Sequence, residues 1–90
     1  MRIISQNGAI DVPYEMSAIR NEDNVIILNM VGETGKGSVI ATYSTSEKAQ
    51  KAMEMLHITY KGNKVEEVYQ EGTNYYHPTF QFPDDEDVKV

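Results

Sequence analysis

The feature that most constrains this chain is a change of apolar period at Ser44. Before it, apolar residues recur at every second position or in short runs. Ile10, Val12, Tyr14, Met16 and Ala18 share one face, and Asp11, Glu15 and Ser17 share the other, the alternation of half-buried strands. After it, Ala49, Ala52, Met53, Leu56 and Tyr60 stand at i, i+3, i+4, i+7 and i+11. That spacing lines one stripe of a helix. A chain that changes period once, from strand to helix, folds as α+β with the helix laid on one face of a sheet.

Local signals divide the strand half into four. Asn7-Gly8 between Arg2–Gln6 and Ala9–Val12 predicts a hairpin with a two-residue type I′ turn, whose central residues both need positive φ. Pro13 cannot donate to a ladder, so the second arm is expected to be an edge or to break there. Asn21 to Asn24 reads as a polar turn, Val25–Val31 as a third strand, and Ser38–Tyr43 as a fourth that returns after a glycine-rich turn. Ser44 with Glu47 forms a capping box that opens the helix. Glu47 and Lys51 stand in the favourable i, i+4 order, and Gly62-Asn63 predicts the helix end. The expectation is an antiparallel four-stranded β-meander, one helix packed on it, and an extended aromatic C-terminal arm. Residues 1–83 form one domain and residues 84–90 a mobile acidic tail.

Composition narrows the chemistry. Ninety residues suit a single core. There is no Cys, which removes disulfides, thiolate catalysis and zinc ribbons. No apolar run reaches the roughly 18 residues of a membrane span, and the opening Met1–Gln6 turns polar too soon for a signal peptide. We therefore expect a cytoplasmic protein with no membrane partner. Eight basic against 14 acidic residues give a net charge of −6, and no basic cluster exists to grip DNA directly. Asp84, Asp85, Glu86 and Asp87 form one acidic run, and without residues 84–90 the net charge is −3.

No motif carries catalysis. Gly32-Glu33-Thr34-Gly35-Lys36-Gly37-Ser38 departs from a phosphate loop in glycine spacing and leads into a strand rather than a helix, so it reads as a hairpin loop. His57 lies off the apolar stripe and reads as solvated. No Ser-His-Asp spacing, nucleophile elbow or metal-ligand triplet appears outside the tail. The chain is expected to be no enzyme and to need no cofactor or metal.

Two clusters remain. Tyr75, Tyr76, Phe80 and Phe82 are four of the eight Phe and Tyr residues, with His77 among them. Such rings stack on a nucleobase at about 1–3 kcal/mol each, or else close a core or dimer interface. Lys48, Lys51 and Met55 form a second stripe on the helix, and Arg2 and Arg20 are the two guanidiniums. Cations beside aromatics suit a nucleotide and its phosphates. The candidate ligand-binding set is Arg20, Lys48, Lys51, Tyr75, Tyr76, His77 and Phe80, with Asn74 or Gln81 to read the base edge.

Three stretches together look like small proteins encoded by phages and prophages of Gram-positive bacteria. They are Met1-Arg2-Ile3-Ile4-Ser5-Gln6-Asn7-Gly8 with Ile10 to Glu15, Ala41 to Leu56, and Phe80-Gln81-Phe82-Pro83-Asp84-Asp85-Glu86. The resemblance implies a phage protein acting in the host bacterial cell, and no site residue carries over from it. The layout is also similar to the Thoeris anti-defence sponges, which sequester a cyclic ADP-ribose isomer. These resemblances imply an anti-defence protein that binds a host immune nucleotide messenger, of cyclic ADP-ribose or cyclic oligonucleotide type, without chemistry. A chain this short has little depth for a pocket of roughly 300 Å³, so the site is expected between subunits of a homo-oligomer. The alternative is an acidic, DNA-mimicking inhibitor that binds a host defence nuclease. A structural or packaging accessory is a third reading.

Overall fold

The computed structural model describes residues 1–61 and 79–90 in full and the helix backbone as far as Tyr69. Among the described residues the fold is α+β, with two three-stranded sheets and one helix. The expected four-stranded meander is not formed. In the first sheet β1 (Arg2–Ile4) lies between β2 (Asp11–Pro13), antiparallel to it, and β6 (Thr79–Gln81), parallel to it. The second is an antiparallel meander of β3 (Ser17–Glu22), β4 (Val25–Met30) and β5 (Ser38–Thr42).

Pro13 is where the chain leaves one sheet for the other. β2 is an edge strand that ends at Pro13, as proline's missing donor requires, and a 3-10 turn over Tyr14–Met16 follows. That turn breaks the period-two alternation. Ile10, Val12 and Tyr14 are half-buried, whereas Met16 is 51% exposed and Ala18 is exposed. Ile19 packs inward in their place. A shift by one residue sends every side chain of a strand to the other face, and the turn supplies that shift.

The Asn7-Gly8 hairpin forms with a different turn. Gly8 has φ +79° but Asn7 is not in the left-handed region, so it is not type I′. Gly8 N–H donates to the Ser5 carbonyl at 2.9 Å, and the Asn7 side chain accepts the Ala9 N–H at 2.9 Å. The second sheet turns at Asp23 (φ 50°). The glycine-rich segment is a hairpin loop between β4 and β5, as expected. A Cβ on Gly37 (φ +79°) would come within 2.6 Å of Asn29 Oδ1 and 2.7 Å of the Leu28 carbonyl oxygen.

The pairing of β4 with β5 shifts between Ile26↔Ala41 and Ile27↔Val39. Ile40 is the extra residue of this bulge, which lets Ile40 and Ala41, neighbours in sequence, both be buried. The Ile40 carbonyl is then free to accept the Gln6 N–H at 2.8 Å. Gln6 continues the join with its side chain. Its Oε1 accepts the Thr42 N–H at 3.1 Å, and its Nε2 donates to the Thr42 and Pro83 carbonyls at 3.1 Å. One amide links the two sheets and the C-terminal segment.

The helix α1 (Ser46–Tyr69) buries the stripe read from the sequence. Ala49, Ala52 and Leu56 are fully buried, Met53 packs beside them, and Tyr60 stacks on Tyr14 with ring centroids 4.6 Å apart. Both ends differ from expectation. Thr45, not Ser44, is the cap, its Oγ1 accepting the Lys48 N–H at 3.2 Å. The helix runs through Gly62 and Asn63 to Tyr69, since one internal glycine costs a helix only about 1 kcal/mol. Met55, in the second stripe with Lys48 and Lys51, packs against the core.

Candidate functional site

After β6 the chain crosses the start of α1 as a strap. Phe82 and Val88 are buried at its two ends. The Phe82 N–H donates to the Ile4 carbonyl at 3.1 Å, extending the β1–β6 pairing by one residue. The Tyr43 hydroxyl donates to the Pro83 carbonyl at 2.8 Å. Asp85 opens a 3-10 turn over Asp85–Asp87 and faces the helix start. Its carboxylate accepts the Ser44 N–H at 2.7 Å, while Lys48 Nζ reaches its carbonyl at 3.0 Å and its Oδ2 at 3.3 Å. The Ser44 N–H first, and the Lys48 ammonium after it, hold the Asp85 carboxyl below its ordinary range. Burial, with the charges of Asp84 and Asp85 behind it, pushes the Tyr43 hydroxyl up to about 12.

The acidic run is therefore docked, not the mobile tail expected from like-charge repulsion. Asp85 turns inward, and Asp84, Glu86 and Asp87 remain exposed. Beneath them lies an open cleft of about 250 Å³ lined by Gln6, Gln81, Phe82, Pro83, Asp84 and Asp87. It offers carboxylates, amides and a small apolar floor, and no cation among the described residues lines it. A second, smaller hollow of about 110 Å³ lies where Gln6 and Asn7 meet β5. No group of three or more acidic, His or Cys side chains among the described residues is placed to hold a metal.

Among the described residues, those named from sequence do not converge here. Arg20, on β3, binds Glu22 at 2.6 Å, Asn29 Oδ1 at 2.7 Å and the Lys36 carbonyl at 2.9 Å. It braces the glycine-rich loop. Arg2 pairs with Asp11, Lys48 with Asp85, and Lys51 with Glu54 at 3.5 Å rather than with Glu47. Phe80 is buried in the core, edge-on to Phe82 at 5.1 Å, which removes it as an accessible stacking ring. His57 is exposed, as expected. Asn74, Tyr75, Tyr76 and His77 lie outside the described residues.

Sequence reasoning missed Gln6 and the Ser44–Lys48–Asp85 latch. One signal was present: Val88 interrupts a charged terminus, and a strap needs such an anchor. Nothing in the sequence marked Ser44 as its partner, because the contact spans 41 residues.

Comparison of the chain with protein-family models, curated proteins and solved structures returns no match. Among the described residues, no helix is long and apolar enough to cross a membrane.

Proposed function

We propose that the chain is a non-catalytic binding protein whose acidic strap occupies a basic surface on a partner protein. The observation that carries this reading is the docked strap, with Asp84, Glu86 and Asp87 exposed between two buried anchors. Carboxylates held in place lose less freedom on binding than those of a loose tail, so more of their attraction appears as affinity. Their field also steers a basic partner toward them. In the phage setting implied by the resemblance, that partner is a host defence nuclease, whose basic surface is built for phosphates. Direct DNA binding is disfavoured by the same charges.

A second reading, sequestration of a nucleotide messenger, rests on the concentration of Tyr75, Tyr76 and His77 immediately before β6 in the sequence. Its cations are already engaged: phosphates would have to take Lys48 from Asp85 and Lys51 from Glu54.

The test uses the variant Asp84→Asn/Glu86→Gln/Asp87→Asn, which keeps Asp85 and Val88 and therefore the docking. It is expressed in a Gram-positive host carrying defence systems, beside the wild type and Tyr75→Ala/Tyr76→Ala. The first reading expects the neutralised variant to lose most of the rescue of phage plaquing, while the tyrosine variant keeps it. The opposite pattern, with calorimetric heat on titrating cyclic ADP-ribose or cyclic dinucleotides, supports the second reading and overturns the first.

A further inference from the structure

Among the described residues the edge strands of the two sheets are β2 and β6, and β3 and β5. All but one are blunted. β2 ends at Pro13, and β6 is three residues long. β5 is bulged at Ile40, and Gln6 takes the Ile40 carbonyl and the Thr42 N–H and carbonyl along its outer side. Prolines, bulges, short strands and covering groups all keep an edge from pairing further. β3 has none of these. It runs six residues, Ser17–Glu22, in unbroken register with β4 and without proline or bulge.

One bond decides which backbone groups β3 presents. The Val31 N–H donates to the Met16 carbonyl at 2.8 Å, so Met16, Ala18, Arg20 and Glu22 are the residues that turn their backbone groups toward β4. Ser17, Ile19 and Asn21 turn theirs outward. The Ser17 N–H is used by the Tyr14 carbonyl. The Ser17 carbonyl, and the N–H and carbonyl of Ile19 and Asn21, have no partner among the described residues. The 3-10 turn bounds this free edge at one end and the left-handed Asp23 at the other. Ile19 lies at its centre.

We infer that β3 pairs edge to edge with β3 of a second copy, antiparallel, about a twofold axis normal to the sheet at Ile19. The second sheets of the two copies then form one continuous sheet. Each copy gives its Ile19 N–H to the other's Ile19 carbonyl and its Asn21 N–H to the other's Ser17 carbonyl. An axis at Arg20 would set the two Arg20 side chains opposite each other, and like charges so placed destabilise a sheet. An axis at Ala18 would set Asn21 against Glu15, which lies beyond the strand. About Ile19, Ala18 instead lies opposite Arg20. The acidic hairpin tips, Glu22 and Asp23, point away from each other: the two Glu22 stand about 20 Å apart, beyond the roughly 8 Å screening length. Glu15, the nearest acid to the far end of each strand, is held by its own Met1 ammonium at 3.1 Å. The occupant is a second copy because the free groups are disposed about one residue, and the twofold through it sets no like charges opposite.

One strand a side is a small contact beside the roughly 800 Å² per partner of a standard interface. In sedimentation velocity the full chain is therefore expected to pass from monomer at about 5 µM to dimer near about 1 mM. Over that range the Ile19 and Asn21 amides gain protection from hydrogen exchange, whereas Ala18 and Arg20, bonded within the sheet, are protected throughout. Substitution of the exposed Ala18 reads the register. Facing the other copy's Arg20, Ala18→Glu tightens the dimer about fivefold and Ala18→Lys loosens it by a similar factor, since each pair occurs twice. Net charge alone gives the reverse order, because Ala18→Glu makes an acidic chain more acidic. Both variants melt within about 2 °C of the wild type at low concentration, as for an exposed site. A chain still monomeric at about 1 mM overturns the inference, as does a dimer whose Ile19 and Asn21 amides stay open or one that Ala18→Lys tightens. Protection of those amides independent of concentration shows that the chain covers its own edge, and overturns the dimer too. The strap acids are untouched in these variants, so failure here leaves the proposed function standing.

Discussion

Tyr43 carries more than its ring. The ring fills the core at 2% exposure, and its hydroxyl holds the Pro83 carbonyl. Tyr43→Phe keeps the packing and removes one bond, worth about 1 kcal/mol. The pH dependence is more diagnostic. The folded pKa is about 12 against an ordinary value of 10, so the folded state holds this proton more tightly than the unfolded chain does. The associated stability is complete below about pH 10 and is lost as pH rises toward 12. Urea unfolding should show wild type ahead of Tyr43→Phe at about pH 8, with the gap shrinking between about pH 10 and pH 12. A gap independent of pH would mean that the hydroxyl is not desolvated under the strap. At the same scale Gly37 was visible in the sequence as one of a glycine cluster. Its necessity was not, because the atoms that exclude a Cβ belong to Leu28 and Asn29 on the facing strand.

The strap differs most from what its composition suggests. Four consecutive acids predict a solvated end, and the run instead closes over the helix start. Two local causes outweigh the repulsion: Val88 has an apolar site to fill, and Asp85 meets the Ser44 N–H and the Lys48 ammonium. Val88→Ala should cost about 1.5 kcal/mol in thermal or urea unfolding, at about 0.8 kcal/mol per buried methylene-sized group. Val90→Ala, at a site 72% exposed, is the control and should change almost nothing. Equal effects at the two positions would show the strap undocked. The helix was the most legible element, since its 3.6-residue stripe needs no partner to be recognised. Its two ends were misread, because a cap depends on which hydroxyl the approaching chain aims at the first turn.

For the whole molecule, the two sheets are separate ladders joined by the Gln6 N–H bond to the Ile40 carbonyl, by side chains and by the C-terminal segment. Gln6 is the principal polar join: its amide satisfies both backbone groups of Thr42 and reaches Pro83. Gln6→Ala removes these bonds at a part-exposed site, which should cost about 1–2 kcal/mol. Hydrogen exchange at the Thr42 amide should quicken by more than global destabilisation explains, and exchange rising equally at every core amide would contradict this role. The candidate site belongs to the same scale, since its residues come from the turn after β1, the residues just after β5, the helix start, the end of β6 and the strap. Arg20, Lys48 and Lys51, the cations of the candidate set, are each paired with an acid.

The sequence by itself determined the elements and the class: β-rich first half, one helix, a break at Pro13, an apolar stripe from Ala49 to Tyr60, and an acidic terminus. These follow from periodicity, proline's missing donor and charge, all of which act over a few residues. Only the tertiary structure decided that β2 and β3 belong to different sheets and that β6 returns beside β1. It also decided that Phe80 faces the core and that Asp85 locks to Ser44. Those outcomes depend on pairings between residues tens of positions apart, where many partners have similar local preferences. Burial and backbone hydrogen bonding in the assembled core select among them.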